Sequence, residues 1–244
     1  MKISISENPS ELGRKAAEMV SENLNEALSL NGEARMVVST GSSQFEMFQA
    51  LLKEKVDWTK ITVFHLDEYV GIPVTHKASF RKYLYERFIN LVPVRKFYSV
   101  DVEGNITSRI GELTSALQEK PVDLGLIGIG VNAHIAFNDP PADFETREAY
   151  KIVKLNDQCK MQQVNEGWFK TPADVPDEAV SMSVWQIMQC RRIISVVPHF
   201  VKADAVKKTL SSKVTSKVPA TMLKQHPNWH LFLDRNSASG VITF

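Results

Sequence analysis

The segment VDLGLIGIG at residues 122–130 decides the fold. It is largely apolar, and it lacks the alternation of polar and apolar side chains found in a strand with one solvent-exposed face. This pattern is typical of a central strand in a parallel sheet, which is buried on both faces. We therefore expect a sheet that helices cover on both sides.

Further apolar runs occur along the chain, with amphipathic stretches between them. The runs are residues 36–39, 61–66, 192–197 and 230–233, and the amphipathic stretches are residues 45–55, 80–90, 106–120 and 201–210. Short strands that alternate with stretches long enough for crossover helices predict parallel strand pairs. The sequence therefore predicts an α/β fold, a three-layer α/β/α sandwich with a mostly parallel central sheet.

The first thirty residues carry the signals of a helix. Asn8 has the character of an N-cap, Pro9 suits the first helical position, and Glu11 stands where a capping-box acid would lie. Apolar residues recur at helical spacing from Leu12 onward until Gly32 ends the pattern. We expect the first helix between these limits.

The composition is that of a globular protein with little net charge. The chain has 29 Lys and Arg against 28 Asp and Glu, a formal charge of +1, so no overall field favours nucleic acid or an anionic membrane. No apolar run approaches the ~18 residues that suggest a membrane span, and the first residues turn polar too early for a signal peptide. Two cysteines, Cys159 and Cys190, cannot form a disulfide framework. We expect a cytoplasmic protein without nucleic-acid or membrane partners.

No composition shift, linker or internal repeat divides the chain, so one domain over residues 1–244 is expected. The least regular stretch is residues 156–176, where Gly167 and two prolines interrupt any periodicity. In an α/β enzyme such an insertion is a candidate lid over the site. A plain surface loop explains the irregularity equally well.

Small and hydroxylated residues follow the first apolar run. They are Ser39, Thr40, Gly41, Ser42 and Ser43. Ligands of open α/β sheets bind at the carboxyl ends of the strands, and hydroxyls, a glycine and free N–H groups at a helix start suit a phosphate. The loop lacks the lysine of a Walker loop and the glycines of a dinucleotide fingerprint, which disfavours a nucleotide. The alternative is an ordinary turn with N-cap hydroxyls.

Two adjacent acids, Asp67 and Glu68, follow the run at residues 61–66. Successive side chains of extended backbone point in opposite directions, so only one of the two readily faces the crevice. One could then act as a base while the other pairs elsewhere. The alternative is an N-cap or a solvated turn.

A histidine, His134, lies just beyond the central strand, after Gly128 and Gly130 and close to Asn132 and Asp139. These residues have the ingredients of a proton relay in which a carboxylate or an amide orients the imidazole. A purely structural histidine is the alternative. The other five histidines lie at no recognised metal-ligand spacing from Cys or acids, so no metal site is expected.

Several motifs resemble the glucosamine-6-phosphate deaminase (isomerase) family, which belongs to a wider group with the 6-phosphogluconolactonases. The segments that carry the resemblance are VVSTGSSQFEMFQALL (37–52), VFHLDEYVGI (63–72), SFRKYLYERF (79–88), LGLIGIGVNAHIAFNDP (124–140) and PATMLKQHPNWHLFLD (219–234). They span nearly the whole chain in order. The combination of LDEYVG with HIAFN is far more specific than either motif alone.

The resemblance implies the conversion of glucosamine 6-phosphate and water to fructose 6-phosphate and ammonia, with no redox cofactor and no obligatory metal. It implies that Asp67 removes the C2 proton, with Glu68 next to it, and that His134 opens the pyranose ring. The family's flanking acids fall on Asn132 and Asp139. The phosphate ligands that it implies are Ser39, Thr40, Gly41, Ser42, Ser43, Lys160 and Lys202.

Three positions depart from the family pattern. Asn132 stands where an aspartate is common, and it cannot carry a charge to stabilise an imidazolium at His134. Asp139 replaces a glutamate and is one methylene shorter, which changes its reach. Lys160 stands at the position aligned with a phosphate-binding arginine, where it keeps the charge but loses the bidentate fork.

These departures leave other functions open. A lactonase could use His134 to activate water and would not need Asp67 to remove a proton from carbon. A related isomerase could act on another hexosamine phosphate. A sugar-phosphate-binding protein could keep the phosphate loop and lack the relay. The resemblance implies a small-molecule sugar phosphate as the partner, and it allows either a monomer or a homo-oligomer.

Overall fold

The computed structural model describes residues 1–241, with the backbone alone at Gln158. Within them the strands are β1 (Lys2–Ser6), β2 (Ala34–Val38), β3 (Ile61–His65), β4 (Asp67–Tyr69), β5 (Lys96–Tyr98), β6 (Leu124–Leu126), β7 (Tyr150–Lys154), β8 (Glu178–Met182), β9 (Arg192–Val197) and β10 (Trp229–Asp234). The α-helices are α1 (Pro9–Asn31), α2 (Phe45–Leu51), α3 (Phe80–Arg87), α4 (Ile106–Gln118), α5 (Asp157–Asn165), α6 (Val184–Ile187), α7 (Ala203–Ser211) and α8 (Arg235–Ala238).

Seven strands form the central sheet in the order β1-β10-β9-β6-β2-β3-β5, and every neighbouring pair is parallel. Helices α1, α2 and α3 pack on one face, while α4 and α7 pack on the other. The predicted three-layer α/β/α architecture is confirmed.

Strand β2 shows why the central strands read as continuous apolar runs. All five of its residues are buried. Met36 and Val38 pack in the core beneath α1, while Val37 packs in the core on the opposite face. Because successive side chains point to opposite faces and both faces are covered, a polar side chain on this strand must find its partners inside the protein, as Arg35 does by donating to the Ala116 and Leu117 carbonyls.

A small second sheet joins β4, β8 and β7 in antiparallel pairs. Asp67 pairs with Ser181 and Tyr69 pairs with Ala179. The sequence reading of Asp67 and Glu68 as a candidate solvated turn is therefore wrong, because both residues lie on a buried strand. The apolar-run criterion also misses β1 and β5, which form the edges of the large sheet and are only partly buried.

Helix α1 begins and ends where its sequence signals place it. The Asn8 side chain accepts a hydrogen bond from the Glu11 N–H, and Pro9 occupies the first turn. At the other end Gly32 adopts a left-handed conformation with φ of 74°, and its N–H donates to the Leu28 carbonyl. In the described part of the chain, neither this helix nor any other has the length and apolarity to cross a membrane.

Residues 157–165 form helix α5, which corrects the prediction of an irregular stretch there. Its N-cap is Asn156, whose side chain accepts a hydrogen bond from the Cys159 N–H at 2.8 Å. After the helix, Gly167 turns the chain with φ of 80°. Both signals are present in the sequence, but α5 has almost no apolar periodicity to accompany them.

Candidate active site

One cavity lies at the carboxyl ends of β3, β2, β6 and β9, four adjacent strands of the large sheet. The connections after β2 and β6 lead in opposite directions along the sheet, so this edge is the topological switch point where α/β folds bind ligands. The predicted site residues that line the cavity are Ser39, Thr40, Gly41, Ser42, Ser43, Asp67, His134 and Lys202.

The loop after β2 forms one end of the cavity. Gly41 has φ of 103°, a conformation that favours glycine, and its carbonyl accepts a hydrogen bond from the Tyr83 hydroxyl at 2.9 Å. The following 3-10 turn, Ser42–Gln44, has no intrahelical acceptor for its first N–H groups. The buried Ser39 hydroxyl has no hydrogen-bond partner among the described residues. This loop offers several donors to an anion.

Lys202 reaches the cavity from the 3-10 turn Phe200–Lys202, which follows β9. Its ammonium makes no hydrogen bond to any described residue. Burial lowers the pKa of Lys202, and the charge of Glu166 acts in the opposite direction. The turn begins at His199, which has φ of 79° and donates its N–H to the Asp234 carboxylate.

Asp67 presents a nearly buried carboxyl group to the cavity. Its exposed fraction is 6%, and the carboxyl makes no hydrogen bond within the described part of the chain. Burial raises the pKa of Asp67 well above its usual value, and the charge of Glu68 adds to the effect. A raised pKa makes the Asp67 carboxylate a stronger base than an ordinary aspartate.

Glu68 points away from the cavity, as expected for the neighbour of Asp67 on an extended strand. Its carboxylate accepts hydrogen bonds from the N–H groups of Tyr69, Phe80 and Arg81, from the Ser79 hydroxyl, and from the Arg81 guanidinium. Burial raises the pKa of Glu68, while these hydrogen bonds act to lower it. Glu68 therefore joins β4 to the start of α3 and does not face a ligand.

His134, Asn132 and Asp139 form a connected group after β6. The His134 Nδ1 atom lies 3.2 Å from Asp139 Oδ1. Asn132 donates from Nδ2 to the same Oδ1 atom at 3.0 Å and accepts the His134 backbone N–H on its Oδ1 at 3.1 Å. His134 lines the cavity, while the other two lie behind it.

The Asp139 carboxylate is held in its charged form. Burial acts to raise the pKa of Asp139, but contacts with His134, Asn132 and the Cys159 thiol outweigh burial and lower it. The short aspartate therefore reaches the imidazole. Asn132 contributes an amide donor to Asp139 where a second carboxylate would repel it.

The imidazole of His134 lies against the backbone of Gly130. A Cβ atom on Gly130 would come within 2.6 Å of His134 Cδ2 and still closer to Cε1 and Nε2. The Gly130 N–H also donates to the His134 carbonyl at 2.9 Å. Ala133 and Ala136 on either side of the histidine have positive φ angles of 65° and 50°. The local backbone thus leaves space for the His134 imidazole in one position.

Four side chains from residues 156–176 line the cavity, and they were not expected from the sequence. They are Gln162, Gln163, Glu166 and Trp168. From the opposite side Lys77 also lines the cavity, and it donates from Nζ to the Gly167 carbonyl at 2.8 Å. Gln162 and Glu166 are four residues apart, a spacing that places two side chains on the same helix face. This spacing is the one sequence signal that could have found them together.

The structure does not bring Lys160 to the cavity. Its Nζ atom pairs with Asp177 Oδ1 at 2.5 Å, outside the lining residues. The inner face of α5 carries Cys159 and Gln163, which are spaced by one helical turn, and Lys160 is rotated away from them. Among residues 1–241 no three His, Cys, Asp or Glu side chains gather in a way that could hold a metal ion.

Known proteins resemble this chain over nearly its whole length. The family model described as glucosamine-6-phosphate isomerases/6-phosphogluconolactonase matches residues 7–231. Glucosamine-6-phosphate deaminase of Thermoanaerobacter pseudethanolicus is 30% identical, covering 98% of this chain and 94% of its own, and that of Streptococcus suis is 32% identical, covering 99% and 100%.

Solved structures agree with these matches. A monomeric glucosamine-6-phosphate deaminase superposes with a TM-score of 0.88 at 26% identity, over 98% of this chain and 100% of its own. A putative 6-phosphogluconolactonase from Neisseria gonorrhoeae has a TM-score of 0.76 at 20% identity, over 96% and 99%. At that identity the second likeness concerns the fold alone.

Proposed function

The chain belongs to the family of glucosamine-6-phosphate isomerases and 6-phosphogluconolactonases, a family of enzymes, and we propose that it is a glucosamine-6-phosphate deaminase. One observation carries the proposal: a nearly buried, unpaired carboxyl at Asp67 shares a cavity with the His134–Asp139 pair. Removal of a proton from carbon needs such a base, whereas hydrolysis of a lactone does not.

The proposed reaction begins with ring opening at His134. The imidazole takes the proton of the C1 hydroxyl and returns a proton to the ring oxygen, which breaks the C1–O5 bond and leaves an open-chain aldehyde. Asp139 supports this step because its carboxylate orients the ring and stabilises the imidazolium. Gly130 lets the ring pack flat against the backbone.

Asp67 then acts on the open chain. Its carboxylate removes the C2 proton while a proton of the substrate's ammonium group passes to the C1 carbonyl oxygen, which gives an enolamine. Asp67 then returns its proton to C1, which converts the enolamine to a protonated imine at C2. Water adds to that imine and ammonia leaves, so the sum is one water consumed and one ammonia released per fructose 6-phosphate. The raised pKa of Asp67 suits a group that must both take and return this proton.

The phosphate of the substrate is proposed to lie between the loop after β2 and Lys202. The donors of Ser39, Gly41 and the Ser42–Gln44 turn face the same cavity as the Lys202 ammonium. Since that ammonium has no hydrogen bond to a described residue, an anion would supply its missing partner.

The test is a product assay on purified protein with glucosamine 6-phosphate, galactosamine 6-phosphate and 6-phosphogluconolactone in parallel. We expect ammonia and fructose 6-phosphate in equal amounts from glucosamine 6-phosphate. Turnover of galactosamine 6-phosphate alone would mean that the protein has the proposed deaminase chemistry but acts on a different sugar phosphate. Hydrolysis of the lactone alone, or binding of sugar phosphate without turnover, would contradict the proposal.

A further inference from the structure

Lys77 lies in the loop between β4 and α3, and the resemblance gives it no role. Its Nζ atom donates to the Gly167 carbonyl at 2.8 Å, directly after helix α5. The carboxyl end of a helix favours a cation, because the unpaired carbonyls there carry partial negative charge. Lys77 thus connects the loop between β4 and α3 to residues 156–176.

Lys77 and Lys202 relate to two adjacent residues of the covering segment (residues 156–176), Gly167 and Glu166. Lys77 contacts Gly167 directly, and the charge of the adjacent Glu166 acts on Lys202. Both lysines and Glu166 line one cavity. Among the described lysines and arginines, Lys77 and Lys202 are the two that line it. Lys160 is bound to Asp177 elsewhere.

A sugar phosphate carries nearly two negative charges at neutral pH. One buried ammonium neutralises only part of that charge, and Glu166 in the same cavity opposes it. A second cation in the cavity would therefore strengthen phosphate binding. Lys77 is an exposed side chain with one hydrogen bond to a neutral carbonyl, so two of its three N–H donors remain for a ligand.

We propose that Lys77 is the second cationic ligand of the substrate phosphate, held in place by the Gly167 carbonyl, and that Glu166 is the opposing charge that limits phosphate affinity. The identity of the substrate in this proposal rests on the proposed function. The claim that Lys77 binds an anion can be tested without it. It assigns to Lys77 the part that the resemblance gave to Lys160.

The test uses inorganic phosphate as the probe and the phosphate-dependent rise in Tm of the whole protein as the readout. The variants are Lys77→Met, Lys77→Arg, Glu166→Gln and Lys170→Met. Lys170 is the matched control, because it is an exposed lysine of the covering segment that does not line the cavity.

We expect Lys77→Met to raise the Kd for phosphate about tenfold, as for the loss of one charge-assisted hydrogen bond. Lys77→Arg should retain binding within about threefold, since it keeps the charge. Glu166→Gln should lower the Kd, and Lys170→Met should leave it unchanged. Opposite signs for Lys77→Met and Glu166→Gln separate an electrostatic role from a general loosening of the structure.

A Kd for Lys77→Met within twofold of the starting protein would overturn the proposal, as would a weaker phosphate affinity in Glu166→Gln. With glucosamine 6-phosphate, Lys77→Met should raise KM by a similar factor and leave kcat within about twofold. If no variant or parent turns over this substrate, the proposed function fails, while the phosphate titration still decides the role of Lys77.

Discussion

The floor of the cavity, residues 39–43, 66–67 and 128–139, and its roof, residues 156–176, are held in different ways. In the floor, hydrogen bonds join the residues around His134, as between Asn132 and Asp139, while the Asp67 carboxyl and the Ser39 hydroxyl have no hydrogen bond to a described residue. The roof is held by an apolar cluster in which Cys159 and Phe169 pack with Tyr69 and Phe137. Hydrogen bonds from Tyr69 to Gln163 at 2.5 Å and from Lys77 to Gly167 add to it. Under the proposed function, the floor holds the reacting groups and the phosphate loop, and the roof contributes Glu166 and the Gly167 carbonyl that holds Lys77.

Apart from removal of a reacting group itself, the largest effect is expected from Gly130→Ala in the floor. The new methyl group would collide with the His134 imidazole, which must move away from Asp139 or from the ligand. Misplacement of a reacting group by about 1 Å can cost about 10²-fold in rate. We expect a loss of about that size in kcat/KM, measured as ammonia release.

Gly128→Ala is the matched control for this variant. A Cβ at Gly128 would meet its nearest neighbours, Gln44 and Ser39, at 3.6 Å, an ordinary contact distance. We expect a much smaller loss of activity than in Gly130→Ala. Equal losses of activity in the two variants would show that Gly130 is not required to keep the His134 imidazole in its position.

The next effect concerns the amide at Asn132. Asn132→Asp places a second carboxylate beside Asp139, in the position from which Nδ2 now donates at 3.0 Å. Two adjacent carboxylates raise the pKa of one of them, so Asp139 would take up a proton at a higher pH than it now does. We expect the acid limb of the kcat/KM profile to move up by about one pH unit.

Asn132→Ala separates charge from the loss of a hydrogen bond. It removes the amide donor to Asp139 without adding a charge, so its acid limb should move less than that of Asn132→Asp. A profile for Asn132→Asp that coincides with the parent would mean that Asp139 does not need its charge for turnover.

The floor could be predicted from the sequence because strand ends determine its place. The run VDLGLIGIG identifies a buried strand, and the residues after such strands meet at one edge of a parallel sheet. On that basis Asp67, His134 and the loop at residues 39–43 were expected in one crevice, where the structure places them. Their catalytic and binding roles stay predictions.

The roof could not be predicted in the same way. Helix α5 has little apolar periodicity, and its contribution depends on which face turns inward, a property of the tertiary packing. One residue along a helix rotates a side chain by about 100°, so counting along the chain suggested Lys160 for the phosphate. Lys77 is distant in sequence from the roof that it contacts, and no local pattern signals it.

A smaller effect, on stability, is expected at Asp67. Its pKa is raised in the folded protein, so the folded state binds this proton more tightly than the unfolded chain. The stability that it contributes is present at low pH and is lost as the pH rises from the usual value of 3.8 toward the raised value. Asp67→Asn should therefore be more stable than the parent at neutral pH, by about 2–4 °C in Tm for each kcal/mol gained.

Calorimetric melts across the pH range check this prediction. The difference between Asp67→Asn and the parent should grow as the pH increases through that window and then level off. A variant that melts below the parent at neutral pH would show that the Asp67 carboxylate is satisfied in the folded state.

The smallest effect belongs to the roof contact at Tyr69. Tyr69→Phe removes the hydroxyl that donates to the buried Gln163. Loss of one buried hydrogen bond costs about 1 kcal/mol, which lowers Tm by about 2–4 °C in a chain of this size. We expect KM for the sugar phosphate to rise about threefold or less, with kcat unchanged. A large fall in kcat would place part of the chemistry in the roof.

The most direct measurement of the central claim is exchange of the C2 hydrogen of glucosamine 6-phosphate, followed by NMR together with ammonia release, in the parent and in Asp67→Asn. If Asp67 is the base, the parent cleaves the C2–H bond and releases ammonia. Asp67→Asn should bind the sugar phosphate yet lose both events by about 10³-fold. Cleavage of the C2–H bond at similar rates in the two proteins would contradict the account.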